Sequence, residues 1–127
     1  MNNITNYLGI DWGEKRIGLA TADSDVKLAL PLATVANLEE VLQIVLSDEI
    51  DIIVLGSPQK MSGQEANNPL WLDFYNHLKK RFSKPIELID ERLSSLQADA
   101  LGGRGKAKAG RDEVAAAIIL QSYLDKR

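Results

Sequence analysis

The stretch "YLGIDWGEKRIGLATAD", residues 7–23, decides the fold. Two apolar runs flank a short polar connection that contains Gly13, which predicts two antiparallel strands, Tyr7–Asp11 and Arg16–Ala22. Because side chains alternate along a strand, Asp11 points to the same side as Tyr7. The first strand thus ends on a carboxylate, and a charge at the end of an apolar strand needs a partner.

The rest of the chain adds one strand to this opening and then alternates helices with strands. The predicted elements are a strand over Leu28–Val35 in which Pro31 suggests an edge or a bulge, a helix capped by Asn37 and Glu40 that ends near Asp48, a strand over 51–56, a helix from Asn68-Pro69 to about Phe82, a strand over 85–90, a short helix from Ser94 to about Leu101, and a last helix from about Asp112 to Asp125. The order β-β-β-α-β-α-β-α, with one further helix at the end, predicts an α/β fold with a mixed five-stranded sheet, a three-strand antiparallel meander followed by parallel strands, covered by helices.

Length and composition limit the class of protein. A chain of 127 residues is the size of one domain, so we expect residues 1–127 to form a single domain. The absence of cysteine excludes disulfides and thiolate metal sites. No apolar run approaches the roughly 20 residues that a membrane-spanning helix needs, and the first residues do not resemble a signal peptide. We therefore expect a cytoplasmic protein.

Charge is unevenly distributed along the chain. The net formal charge is −3, but residues 1–60 carry −5 and residues 61–127 carry +2. Four of the basic residues lie in "RGKAKAGR", residues 104–111, which contains no acid: Arg104, Lys106, Lys108 and Arg111. Such a segment is either a solvated loop or a local contact with a polyanion.

Acidic residues from three distant segments are predicted at one edge of the sheet. Asp11 ends the first strand, Asp90 and Glu91 follow the strand over 85–90, and Asp112 opens the last helix. Ligand sites in such folds lie at the carboxyl ends of the parallel strands. Gly9 is expected to leave open space beside the Asp11 carboxylate.

Each acid also has an ordinary structural explanation. Asp11 can pair with Lys15 or Arg16 in its own hairpin, and Arg92 can neutralise the acids at the end of its strand. Asp112 suits a helix N-terminus through capping and the helix dipole. Alternation along the strand puts Asp90 and Glu91 on opposite faces and does not decide which of them faces the site.

Together, the acids of these three segments have a shared chemical explanation. Clustered carboxylates repel one another unless cations neutralise them, and hard oxygen ligands suit Mg²⁺ or Mn²⁺. Such ions can activate water against a phosphodiester and stabilise the departing oxygen. Neighbouring lysines and arginines would then hold the phosphates of a nucleic acid without reading its sequence.

The chain closely resembles the YqgF/RuvX-like family of bacterial proteins in three blocks, "GIDWGEKRIGLA", "DERLSS" and "RDEVAAAIILQSYL". The blocks occur in the expected order and the resemblance covers essentially the whole chain. It implies a ribonuclease H-like fold with helices on both faces of the sheet. It also implies a nuclease that processes the 5′ end of precursor 16S ribosomal RNA in ribosome biogenesis, or a Holliday-junction resolvase acting on four-way DNA as a dimer.

The resemblance assigns a site. It implies Asp11, Glu91 and Asp112 as catalytic residues and ligands of Mg²⁺ or Mn²⁺, and it favours Glu91 over Asp90. The residues expected to contact nucleic acid are Lys15, Arg16, Arg92, Ser94, Arg104, Lys106, Lys108 and Arg111. Precursor ribosomal RNA, branched DNA and the ribosome or its precursor are the implied partners, with the protein as a monomer or a homodimer.

The family pattern is not matched everywhere. The loop "GSPQKMSG", residues 56–63, stands where the family usually has "GLPLNMDG". The competing hypothesis is a non-catalytic module that has the same fold and binds nucleic acid or protein.

Two further residues have expected locations. Trp12 is expected to pack in the core or to stack on a base, and His77 is expected at the surface.

Overall fold

The computed structural model describes residues 3–58, 68–90 and 111–126. Within these ranges it contains five strands and three helices. The elements are β1 (Asn6–Trp12), β2 (Ile17–Asp23), β3 (Leu30–Val35), α1 (Leu38–Ser47), β4 (Ile52–Ser57), α2 (Pro69–Arg81), β5 (Ile86–Asp90) and α3 (Arg111–Lys126). The predicted short helix from Ser94 lies outside the described residues.

One five-stranded sheet, in the order β3-β2-β1-β4-β5, forms the centre of the protein. β1 pairs antiparallel with β2, and β2 pairs antiparallel with β3. On its other side β1 runs parallel to β4, which runs parallel to β5. The predicted α/β class, with its meander followed by parallel strands, is confirmed.

The third strand begins later than predicted, at Leu30 instead of Leu28. The preceding residues form a turn in which the Asp23 carboxylate accepts hydrogen bonds from the amides of Asp25 and Val26, at 3.0 and 2.8 Å. Lys27 has a positive φ of 60°, which a strand does not allow. β3 is an edge strand and its pairing with β2 shifts register, so Pro31 marks both an edge and a bulge.

The sheet separates two apolar layers, because side chains alternate along each strand. On one face Leu8 and Ile10 of β1 pack with residues of α1 and α2 such as Val41 and Leu78. On the other face Tyr7 packs against α3. The remaining buried residues of this second layer are Ala20, Val54, Ile89, Ala116, Ala117, Ile119 and Leu120. Helices therefore cover both faces, as expected.

The helix starts follow the predicted caps. The Asn37 side chain accepts from the Glu40 amide at 3.0 Å, and the Glu40 carboxylate accepts in turn from the Ala36 amide at 2.7 Å. The Asn68 side chain accepts from the Trp71 amide at 3.1 Å, with proline in the first turn. In the described part of the chain, no helix is both long and apolar enough to cross a membrane.

Candidate active site

Asp11 lies at the carboxyl end of β1, on the face of the sheet that α3 covers. Its position follows from the register: Asp11 is paired with Gly18 of β2, and directly opposed residues of antiparallel strands point to the same face. Gly9, two residues earlier on the same face, lies against α3. The Asp11 side chain is therefore directed to the α3 side, where it is partly buried.

Gly18 brings the first turn of α3 onto the sheet. A Cβ atom built on Gly18 would overlap the carbonyl carbon and oxygen of Asp112 and would lie 2.9 Å from the Asp112 Cβ. Only glycine allows this approach, because every other side chain would occupy the space of the helix backbone. Gly18 is the register partner of Asp11, so Asp11 and Asp112 meet at the same edge of the same face.

The space beside Gly9 is not open. A Cβ on Gly9 would lie 2.7 Å from the Leu120 Cβ and 2.9 Å from the Ala116 carbonyl oxygen. The expectation that Gly9 leaves room for the Asp11 carboxylate was wrong, because α3 fills that room. Gly9 instead lets the middle of α3 pack closely, and Gly18 does the same for its start. The small side chain of Ala116, which is fully buried, helps α3 to lie this close to the sheet.

Asp112 forms an ion pair with Arg16. The Arg16 Nε donates to Asp112 Oδ2 at 2.8 Å, across 96 positions of sequence. Arg16 is 71% exposed and Asp112 is 30% exposed, so the pair lies at the rim of the site. Next to it, the Thr34 hydroxyl donates to Glu113 at 3.0 Å, a second contact between the meander and the first turn of α3.

The third acidic segment of the sequence, Asp90-Glu91, lies at the end of β5. β5 runs parallel to β4, and Ile89 pairs with Gly56 and packs in the layer beneath α3. Asp90 is the next residue and so points to the opposite face, away from Asp11. Glu91 lies outside the described residues. Among the described residues, no group of three or more acidic or histidine side chains is arranged to hold a metal ion.

The other predicted site residues divide into two groups. Lys15 and Arg16 are exposed in the connection between β1 and β2, four and five positions after Asp11. Arg111 is the first residue of α3. The rest of the expected nucleic-acid contacts lie outside the described ranges: Arg92, Ser94, Arg104, Lys106 and Lys108.

Trp12 packs against α2, and His77 lies at the surface. The Trp12 ring lies 6.2 Å from the Phe74 ring, centroid to centroid, on the face that α2 covers. The packing alternative expected for Trp12 is therefore confirmed. His77 is exposed, with its Nδ1 2.8 Å from the Asp73 carbonyl oxygen one turn earlier, as expected for a surface residue.

Sequence reasoning missed Gly18 and the Arg16–Asp112 pair. Gly18 could have been found from the sequence, because pairing the two strands of the predicted hairpin places it opposite Asp11. No signal of that kind links Arg16 with Asp112, since their contact depends on where α3 docks.

A five-stranded mixed sheet with this strand order and with helices on both faces is a ribonuclease H-like fold. The fold is similar to a solved structure of T. thermophilus RuvC in complex with Holliday junction substrate, with a TM-score of 0.60 and 17% identity over 97% of this chain and 95% of that one. At that identity the likeness concerns the fold.

The family is identified at the level of sequence. A family model described as "RuvX: Holliday junction resolvase" matches residues 5–126, and the chain belongs to this family of nucleases. It is 36% identical to a "Putative pre-16S rRNA nuclease" of Chloroflexus aurantiacus, over 94% of this chain and 86% of the relative. It is 37% identical to a protein of the same description from Phocaeicola vulgatus, over 98% of both chains.

Proposed function

We propose that this protein is a divalent-metal-dependent nuclease that hydrolyses phosphodiester bonds and processes the 5′ end of precursor 16S ribosomal RNA. The observation that supports it most is the convergence of Asp11 and Asp112 on one face at the carboxyl edge of the sheet, made possible by Gly18. The descriptions of the curated relatives supply the RNA substrate.

The donor set fits Mg²⁺ or Mn²⁺. Asp11 and Asp112 come from elements about 100 positions apart, and the close contact of Gly18 with the Asp112 backbone brings them to the same edge of the sheet. Carboxylates are the ligands that hard divalent ions prefer, and the chain has no cysteine to favour a softer metal. When bound, the metal would help to activate water for attack on phosphorus and stabilise the departing oxygen.

Glu91 is the third proposed ligand. Ile89 faces α3 and Asp90 therefore points to the opposite face, so Asp90 is the poorer candidate and the family resemblance selects Glu91.

Basic residues would bind the substrate backbone. Lys15 and Arg16 lie four and five positions after Asp11, in the connection between β1 and β2 at the same edge of the sheet. We assign them to phosphate contacts, together with Ser94 and the basic residues that follow β5 in the sequence: Arg92, Arg104, Lys106, Lys108 and Arg111. Phosphate contacts position a nucleic acid without reading its sequence.

Resolution of four-way DNA junctions is the second candidate, and the description of the matching family favours it. Cutting two strands of a junction symmetrically requires two equivalent sites, hence a homodimer, whereas trimming RNA works with a monomer. We place either activity in the cytoplasm, in a single domain spanning residues 1–127.

A cleavage assay distinguishes these functions. Precursor 16S RNA fragments, unstructured single-stranded RNA and four-way DNA junctions are incubated side by side with Mn²⁺, using wild type and Asp11→Asn. We expect cleavage of the precursor RNA by wild type and none by the variant. Preferred cutting of junctions, by a dimer, would replace the RNA assignment with the resolvase. If no substrate were cut but RNA were bound without metal, the non-catalytic module would be correct.

A further inference from the structure

The ion pair between Arg16 and Asp112 joins two residues to which the proposed function gives separate tasks. Asp112 is a proposed metal ligand and Arg16 a proposed phosphate contact, yet the Arg16 Nε donates to Asp112 Oδ2 at 2.8 Å. We propose that Arg16 is a movable counter-charge: it neutralises Asp112 before metal binds, and metal binding releases it to hold a substrate phosphate. The inference rests on the proposed function, since it takes Asp112 as a ligand.

The ion pair between Arg16 and Asp112 can open at little energetic cost. Arg16 is 71% exposed, so water solvates the guanidinium whether or not it contacts the carboxylate. Exposed ion pairs contribute little to stability because solvation and side-chain entropy offset most of the attraction. Arg16 also lies outside both flanking strands, in the connection that ends where β2 begins at Ile17. Its side chain can therefore move without disturbing the sheet.

A divalent ion and Arg16 compete for the same carboxylate. A metal ion on Asp112 needs one of its oxygens and brings two positive charges close to the guanidinium, which weakens the attraction that holds Arg16. Asp112 itself is held in place by the backbone, because Gly18 lies against the Asp112 carbonyl group. Arg16, and not Asp112, is consequently the partner that moves.

Released Arg16 remains at the site. It is five positions after Asp11 in a tight connection, so its side chain stays at the edge where the scissile phosphate must lie. A guanidinium binds phosphate oxygens through two parallel hydrogen bonds, a geometry that suits a nucleic-acid backbone. Metal binding and nucleic-acid binding then favour each other, and the coupling must be equal in both directions.

Lys15 provides a matched control. It is the neighbouring residue, exposed and of the same charge, so Lys15→Gln and Arg16→Gln remove the same charge from the same connection. Only Arg16→Gln removes the 2.8 Å bond to Asp112. General electrostatic repulsion between cations affects both variants alike, whereas competition for Asp112 affects only one.

The test is calorimetric titration of Mn²⁺ into wild type, Arg16→Gln, Lys15→Gln and Asp112→Asn, without nucleic acid. We expect Arg16→Gln to bind Mn²⁺ about two- to fivefold more tightly than wild type, the range for an exposed pair, and Lys15→Gln to change less than half as much. Thermal melting of each variant confirms that it is folded. Arg16→Gln that binds Mn²⁺ no more tightly than Lys15→Gln would overturn the inference.

A second measurement tests the release. Binding of single-stranded RNA is measured over a range of salt concentrations, with Ca²⁺ and with a chelator. In wild type, Ca²⁺ should steepen the salt dependence by about one phosphate contact, and Arg16→Gln should lose this increment. An increment that survives in Arg16→Gln contradicts the release. If Asp112→Asn binds Mn²⁺ as wild type does, the proposed metal site itself is wrong, a failure distinct from the others.

Discussion

Replacing Gly18 by alanine tests how the site is assembled. The added Cβ would overlap the carbonyl group of Asp112 and would lie 2.9 Å from the Asp112 Cβ. Carbon atoms in favourable contact are about 3.5–4.0 Å apart, so the first turn of α3 must move away from β2 by roughly 1 Å. Overpacking of this kind costs about 1–3 kcal/mol of unfolding free energy.

Both stability and metal binding should therefore fall. For a domain of this size each kcal/mol lowers the melting temperature by about 4 °C, so we expect a decrease of about 4–12 °C. Ligand distances in a metal site tolerate only about 0.2 Å, so a 1 Å displacement of Asp112 should weaken Mn²⁺ binding at least about tenfold. Thermal melting and calorimetry measure the two effects on the same preparation.

Gly9→Ala is the control for Gly18→Ala. Its Cβ would also overlap α3, at 2.7 Å from the Leu120 Cβ, but one to two turns further from Asp112. We expect a similar loss of melting temperature with less than about threefold weaker Mn²⁺ binding, because the displacement is at the middle of the helix. Equal losses of Mn²⁺ affinity in the two variants, or wild-type behaviour of Gly18→Ala, would refute the assembly described here.

Two further predictions concern a helix cap and the basic segment. Asn68→Ala removes the 3.1 Å bond to the Trp71 amide and should lower the unfolding free energy by about 1 kcal/mol, read as a melting temperature about 4 °C lower, with Mn²⁺ affinity unchanged; an unchanged melting temperature would contradict it. Neutralising Arg104, Lys106, Lys108 and Arg111 together should weaken binding of single-stranded RNA and reduce its salt slope by about 3 units. A salt slope equal to that of wild type would show that the segment does not contact phosphates.

The sheet could be predicted from sequence because its signals are local. Alternating apolar residues around Gly13 specify the first hairpin, and the short β-branched run over 51–56 is buried on both faces as its composition indicates. The caps at Asn37 and Asn68 depend on residues three positions apart and were predicted correctly. Each of these features needs only a few neighbouring residues.

Contacts between distant segments could not be predicted in the same way. Gly9 was assigned open space because a sequence does not indicate which element packs over a strand. Gly18 and the Arg16–Asp112 pair depend on where α3 docks, about 95 positions away. The late start of β3 depends on the Asp23 carboxylate, which binds two amides of the turn. The choice of Glu91 over Asp90 came from family resemblance and stays a prediction, since Glu91 lies outside the described residues.

The claim that three acids at one sheet edge share a metal is tested most directly by calorimetric titration of Mn²⁺. The variants to titrate are Asp11→Asn, Glu91→Gln and Asp112→Asn. Asp90→Asn serves as the matched control, since Asp90 points to the opposite face. We predict that each of the first three variants binds Mn²⁺ at least about tenfold more weakly than wild type while remaining folded, and that Asp90→Asn binds as wild type does. Wild-type affinity in any of the three, or an equal loss in Asp90→Asn, would contradict the claim.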